Sequence, residues 1–247
     1  MARNHDNGFK DRWLSSNFLG AALSHPFTTA ATRPTCPEVV QTVSDTIQER
    51  FGDREIRIAE LGVGPDEPIM NGLLTSGLNI GHYTANDLLP EVIKKLQRIK
   101  QERYQKILEV LEGKAEDVVD FLLLNARMTF RRKYQAIIFT IPLSHMKMKD
   151  ALIFLHKLSQ LLDDDGLLIA VQWWYFSDEC IRKSPAFKGI KTKKFPERVE
   201  KITVAERNLI IPESPLNGGL STQDIIKCYL AALRRTLTGE DTEMLTQ

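Results

Sequence analysis

The sequence predicts an α/β fold built on a mostly parallel sheet with helices on both faces. Three observations lead there. Between residues 55 and 175, short apolar runs alternate with segments of helical period. The run at residues 134–140 is apolar throughout its middle, as suits a strand covered on both sides. The chain has 247 residues, enough for one large α/β domain or one domain with a small appendage.

The elements follow in order. Residues 8–24 carry Phe9, Trp13, Phe18 and Leu23 at loosely helical intervals. Thr35-Cys36-Pro37-Glu38 marks a helix start, with a capping hydroxyl, a proline in the first turn and an acid that can reach back. That helix continues through Val39, Val43 and Ile47 to Gly52. Strands are then expected at residues 56–61, 80–86, 106–111, 134–140 and 167–174. Helices are expected at 67–76, 90–104, 117–126 and 148–162, and Asp163-Asp164-Asp165-Gly166 reads as a turn. Such alternation implies right-handed crossovers and a parallel sheet.

Beyond Tyr175 the rhythm breaks. A basic stretch, 182–198, reads either as a solvated, mobile loop or as an entrance that attracts an acidic acceptor. Strands are expected at 200–205 and 208–211, a loop at 212–219, and a last helix at 222–237. The organisation is therefore an N-terminal helical cap (1–52), a core (53–175), and a C-terminal segment (176–247) that completes the sheet and the acceptor site.

Composition narrows the classes. A formal net charge of +1 offers no global field for nucleic acid or an anionic membrane, so a small or medium-sized acceptor is expected and nucleic acid is not. No apolar run is long enough to span a bilayer, and the N-terminus lacks the apolar core of a signal peptide. Cys36, Cys180 and Cys228 are far apart and show no metal-ligand spacing, which fits a reduced, cytoplasmic protein without a metal site.

The chemistry centres on Gly62-Val63-Gly64, directly after the first strand of the alternating region. In open α/β sheets ligands bind beyond the carboxyl ends of the strands, and glycines there let a ligand approach the backbone. The next helix, expected to begin about 65–67, offers free N–H groups. A dinucleotide fingerprint would place a small residue where Glu67 stands, and two acids beside a pyrophosphate repel it. No Gly-Lys-Ser/Thr follows, so this is not a P-loop. Asp87 ends the second strand roughly 20 residues on, the place for an acid that accepts from ribose hydroxyls.

Glu60-Leu61-Gly62-Val63-Gly64 resembles the E-x-G-x-G turn of class I S-adenosylmethionine-dependent methyltransferases, whose fold is Rossmann-like. Many members have a third glycine where this chain has Asp66. Gly113-Lys114-Ala115-Glu116 stands where members commonly read G-D-A, and Tyr134–Gln135 where they often carry an aromatic–Asp pair. Leu143-Ser144-His145 resembles their Leu-x-His, and the likeness covers about residues 55–175. It implies S-adenosylmethionine as cofactor, with Glu60 near its ammonium, Gly62 and Gly64 beneath its methionine part, and Asp87 on its ribose. Leu88 would lie against the adenine, Ala115 and Glu116 at its edge, and Thr140 on the cofactor side.

The implied reaction is methyl transfer to an oxygen or nitrogen nucleophile. A non-catalytic cofactor-binding subunit of the same fold is the alternative, and a nicotinamide-dependent oxidoreductase a weaker one. His145 lies where the acceptor would approach and is either a base or a packed residue, with alignment able to supply most of the acceleration. Pro142, Trp173 and Tyr175 are the candidate acceptor contacts, although an aromatic residue leaving a strand can equally be core.

Overall fold

The computed structural model describes residues 37–129, 133–140, 146–173, 178–195 and 200–209. Helix α1 (Pro37–Phe51) precedes strand β1 (Ile56–Leu61), and then come α2 (Pro68–Thr75), β2 (Ile80–Asp87), α3 (Pro90–Glu102), β3 (Leu108–Glu112) and α4 (Ala115–Thr129). The chain continues through β4 (Tyr134–Phe139), α5 (Met148–Leu161), β5 (Leu162–Trp173), α6 (Glu179–Lys183), β6 (Phe187–Lys194) and β7 (Glu200–Arg207). The seven strands form one sheet in the order β3-β2-β1-β4-β5-β7-β6. Neighbours from β3 to β5 are parallel, and β7 is antiparallel to both β5 and β6.

Strand alternation divides the apolar side chains between two cores. Ile56, Ile58, Tyr83, Ala85, Ile138 and Ile169 point to the face where α1, α2 and α3 contribute Val43, Ile47, Ile69, Met70, Leu73 and Leu96. Ala59, Leu61, Ile137, Phe139, Leu168 and Ala170 point to the other, against Val119, Leu122, Leu155, Leu158 and Ile181 of α4, α5 and α6. Each large side chain so buried contributes about 1.5–3 kcal/mol. Gly72 lets α1 and α2 touch, since a Cβ there would stand 2.1 Å from Val40 Cγ1.

Four local expectations are corrected. Helix α2 starts at Pro68 because Glu67 takes a left-handed conformation (φ 44°, ψ 42°) that cannot be helical. The acidic run 163–165 is not a turn but the irregular start of β5, where the pairing with β4 shifts register. Its charges are held by long-range partners: Gln135 Nε2 donates to Asp163 (2.8 Å), Arg207 to Asp164 (3.0 Å) and Arg54 to Asp165 (2.6 Å).

The described part of the basic stretch, 182–195, is not one loop, because it holds the end of α6 and all of β6. Phe187 is buried and Ile190 packs beside it, while Lys188, Lys191, Lys193 and Lys194 are exposed. Outward lysines on an edge strand discourage pairing with another chain. Finally, the strand expected at 208–211 does not begin at Asn208. That residue leaves β7 to donate its N–H to Ala186 O at 2.9 Å, and 210–211 lie outside the described residues.

The expected elements at 8–24, 212–219 and 222–237 also lie outside them, as does Thr35. No helix among the described residues is long and apolar enough to cross a membrane. What the topology positions is the crevice at the carboxyl ends of β1 and β4. The chain runs outward in one direction from β1 through β2 and β3, and in the other from β4, so strand order reverses there.

Candidate functional site

At this reversal β1 ends in the glycine turn. Gly62 and Gly64 both have positive φ, 81° and 76°. The turn is pinned from both neighbouring strands. Gly62 N and Val63 N donate to Asn86 O at 2.9 and 3.0 Å. On the other side Thr140 N donates to Leu61 O at 3.1 Å, and the Thr140 hydroxyl donates to Gly62 O. Thr140 therefore shapes the turn whatever else it touches. Among the described residues beyond its two chain neighbours, nothing lies within 4 Å of the position a Cβ would take on Gly64, so the space there is open.

Asp87 is the turn's other anchor. Its Oδ2 accepts from Gly64 N at 2.8 Å and its Oδ1 from Leu89 N at 2.9 Å, so one buried carboxylate ties the glycine turn to the start of α3. Each oxygen has two acceptor sites, which leaves capacity for two further donors. Asn86 Nδ2 donates to Leu111 O and Gly113 O at 3.1 and 3.0 Å, and Gly113 N donates back to Asp87 O at 3.0 Å. This lattice fixes Ala115 and Glu116, which open α4, relative to Asp87. Ala115 is buried, Glu116 is exposed and Leu88 is half-buried. Gly62, Gly64, Asp87, Leu88 and Thr140 thus stand at the carboxyl ends of β1, β2 and β4, and Ala115 and Glu116 open α4 just after β3, with the buried Glu60 inside this rim.

Glu60 lies inside this rim with no solvent exposure, level with Ala85 on one side and Ile138 on the other. Its Oε2 accepts a 2.5 Å hydrogen bond from the Tyr83 hydroxyl, and its Oε1 has no partner among the described residues. Burial pushes the carboxyl up to about 8. The Tyr83 bond opposes that shift, and the negative charges of Asp87 and Glu67 add to it. Sequence reasoning missed Tyr83. The available signal was a phenol inside a buried strand, which needs a partner for its hydroxyl.

Glu67 is turned away from where it was expected to act. Its side chain is buried and accepts from Lys95 of α3 at 2.9 Å, while Lys95 also donates to Pro65 O at 2.7 Å. Of the two acids expected to repel a pyrophosphate, Glu67 is thus paired with Lys95, while Asp66 is exposed. Topology supplies a different objection to a dinucleotide enzyme. The order for that class is 3-2-1-4-5-6, whereas here an antiparallel strand stands between β5 and β6.

On the acceptor side, Pro142, His145 and Tyr175 lie outside the described residues. Trp173 ends β5, paired with Glu200. One residue earlier is a side chain that sequence reasoning passed over. Gln172 is buried, and neither its Oε1 nor its Nε2 has a hydrogen-bond partner among the described residues. It stands opposite Lys201 of β7, which reaches Asp178 at 3.7 Å. Burial pushes the Asp178 carboxyl up, but hydrogen bonds from Thr192 and Arg182 and the Lys201 charge outweigh it and hold it below its ordinary value. Among the described residues no group of three or more His, Cys, Asp or Glu side chains could hold a metal ion.

No protein-family model matches the chain, and no curated protein matches it either. Solved structures do. The magnesium protoporphyrin IX methyltransferase from Synechocystis PCC 6803, with bound SAM, is 14% identical with a TM-score of 0.55, covering 84% of this chain and 99% of that one. An O-methyltransferase from Bacillus cereus, in complex with SAH, is 12% identical with a TM-score of 0.54, covering 81% and 96%. An rRNA methylase from Streptococcus thermophilus is 16% identical with a TM-score of 0.50, covering 71% and 97%.

The fold of this chain is that of the class I methyltransferases. One expectation is overturned by the same comparison. A small-molecule acceptor with nucleic acid set aside does not follow, because this architecture also carries an rRNA methylase. The net charge of +1 behind that expectation is a sum over the whole chain. Recognition of an acceptor depends on local charge, which such a sum does not report.

Proposed function

We propose that this chain is an S-adenosylmethionine-dependent methyltransferase that transfers a methyl group to an oxygen or nitrogen nucleophile. The observation that carries this reading is a buried carboxyl oxygen without a partner among the described residues, on Glu60, two residues before a glycine turn whose Gly64 has open space at its Cβ position. A buried acceptor of this kind calls for a donor or a cation. A ligand with an ammonium at one end, a ribose at the other and no phosphate between them fits the rim. Glu60 would face the ammonium, the two glycines the methionine chain, and Asp87 the ribose hydroxyls through its remaining acceptor sites. Leu88 and Ala115 offer apolar surface for the adenine, with Glu116 at its edge and Thr140 holding the turn in place. The bound cofactor supplies a methyl group already activated by its sulfonium.

The work left to the chain is binding, orientation and exclusion of water. The likeness to methyltransferases crystallised with SAM or SAH supports the cofactor assignment. Pro142, Trp173 and Tyr175 are assigned to the acceptor wall on sequence alone, and His145 to a base or a packed position beside it. The widely spaced cysteines, with Cys180 a buried free thiol, fit a reducing cytoplasm. Mass spectrometry of the nucleoside that co-purifies with the protein tests the reading. Retained S-adenosylmethionine or S-adenosylhomocysteine supports it, and a nicotinamide nucleotide overturns it.

A further inference from the structure

Three features make Glu60 more than an acid near a ligand. It has no solvent exposure, one oxygen is held by Tyr83 at 2.5 Å, and the other has no partner among the described residues. The Tyr83 hydroxyl favours a carboxylate, but burial and the like charges of Asp87 and Glu67 act against one. Strand β2 brings Tyr83 and Asp87, the residue before α2 is Glu67, and β4 brings the uncharged Ile138. Lys95, the cation on Glu67, is held there and by Pro65 O. A lone buried carboxylate in such surroundings takes up a proton rather than remain charged.

Resting on the cofactor assignment above, we infer that Glu60 and Tyr83 form a proton-exchanging seat. Glu60 is a neutral acid in the free protein, and it releases its proton to solvent when the cofactor's ammonium arrives, while Tyr83 holds its other oxygen in place. No bond other than the carboxyl O–H changes, and the ammonium keeps its own protons. Tyr83 can play this part because burial first, and the Glu60 charge second, keep its phenol protonated. It is a positioning residue acting through Glu60. The proton release also makes the site selective. A neutral group in place of the ammonium gains nothing from ionising Glu60.

The test compares two ligands by titration calorimetry near pH 7, in buffers of different ionisation enthalpy. S-adenosylhomocysteine carries the ammonium, whereas 5′-methylthioadenosine has the same nucleoside and thioether without it. A free carboxyl at about 8 is some nine-tenths protonated near pH 7, so close to one proton is expected to leave per S-adenosylhomocysteine bound. None is expected for methylthioadenosine. Between about pH 6 and 7 the first ligand should tighten roughly tenfold and the second stay constant.

Tyr83→Phe removes only a hydroxyl. It should weaken S-adenosylhomocysteine by about fivefold to tenfold, the size of one hydrogen bond, and leave methylthioadenosine unchanged. If S-adenosylhomocysteine binds without releasing a proton, or methylthioadenosine releases one as well, the seat is refuted and the cofactor assignment survives. Should neither ligand bind the wild-type protein, both fall together.

Discussion

Replacing Gly64 by alanine separates what the glycine turn does for the fold from what it does for a ligand. Its φ of 76° costs an L-residue about 1–2 kcal/mol. No atom stands within 4 Å of the new Cβ, so no clash adds to that strain. The variant should fold with a stability loss of about 1–2 kcal/mol, read from urea denaturation at an unchanged slope. Under the proposed function, the methyl occupies space the cofactor needs. S-adenosylhomocysteine affinity, measured by calorimetry, should then fall at least tenfold, about 1.4 kcal/mol, and Gly64→Val should abolish it.

Gly72→Ala provides the contrast, because its Cβ would meet Val40 at 2.1 Å, inside the α1–α2 contact and away from the rim. That change should destabilise the fold by about 1–3 kcal/mol and leave affinity intact. A Gly64→Ala protein that binds S-adenosylhomocysteine as tightly as wild type would show that the turn is structural only.

Three other substitutions probe the neighbouring residues. Asp87→Ala leaves Gly64 N and Leu89 N without their acceptor, so stability should fall by about 2–4 kcal/mol and cofactor affinity by roughly 10–100-fold. Calorimetry and denaturation both unchanged would refute that double role. For Glu60 the folded carboxyl titrates at about 8 against an ordinary 4.5, so the folded state holds the extra proton between those values. Wild-type stability should therefore decline through that window as pH rises, by at most about 1.4 kcal/mol per pH unit, and level off above it. Glu60→Gln should remove this decline, and denaturation curves of equal slope against pH in both proteins would contradict it. Gln172→Met replaces an unpartnered buried amide with an apolar side chain of similar size. Thermal denaturation should show a gain of about 1 kcal/mol, whereas a loss would mean that the amide holds bound water in the free protein.

Local chemistry made much of this legible in the sequence. Strand β1 and helix α1 follow from their periods, and the glycine turn is visible because only glycine accepts its backbone angles so readily. Asp87 was legible by spacing alone. The features that escaped depend on partners distant in sequence. Nothing local shows that Asp163, Asp164 and Asp165 will meet Gln135, Arg207 and Arg54, so an acidic run ending in glycine read as a turn. The lysines of β6 looked like a solvated loop because an edge strand leaves one side to water, and their alternation with Phe187, Ile190 and Thr192 is brief. Glu67 read as an acid that repels a pyrophosphate because its salt bridge comes from Lys95, one helix later. Tyr83 read as a strand residue of ordinary kind until its hydroxyl was seen to end on Glu60. The acceptor expectation failed for another reason, since a chain-wide charge sum carries no information about any one surface.

The most direct measurement of the central claim is formation of S-adenosylhomocysteine, which counts methyl transfer whatever the acceptor. Purified protein is incubated with S-adenosylmethionine and, separately, with the RNA, protein and small-molecule fractions of a cell extract. The product is then quantified by mass spectrometry. The proposed function predicts that one fraction drives S-adenosylhomocysteine well beyond the amount of protein present, and that Asp87→Ala and Gly64→Val lose this turnover. Wild-type protein that binds the cofactor yet forms no S-adenosylhomocysteine above background with any fraction would contradict it.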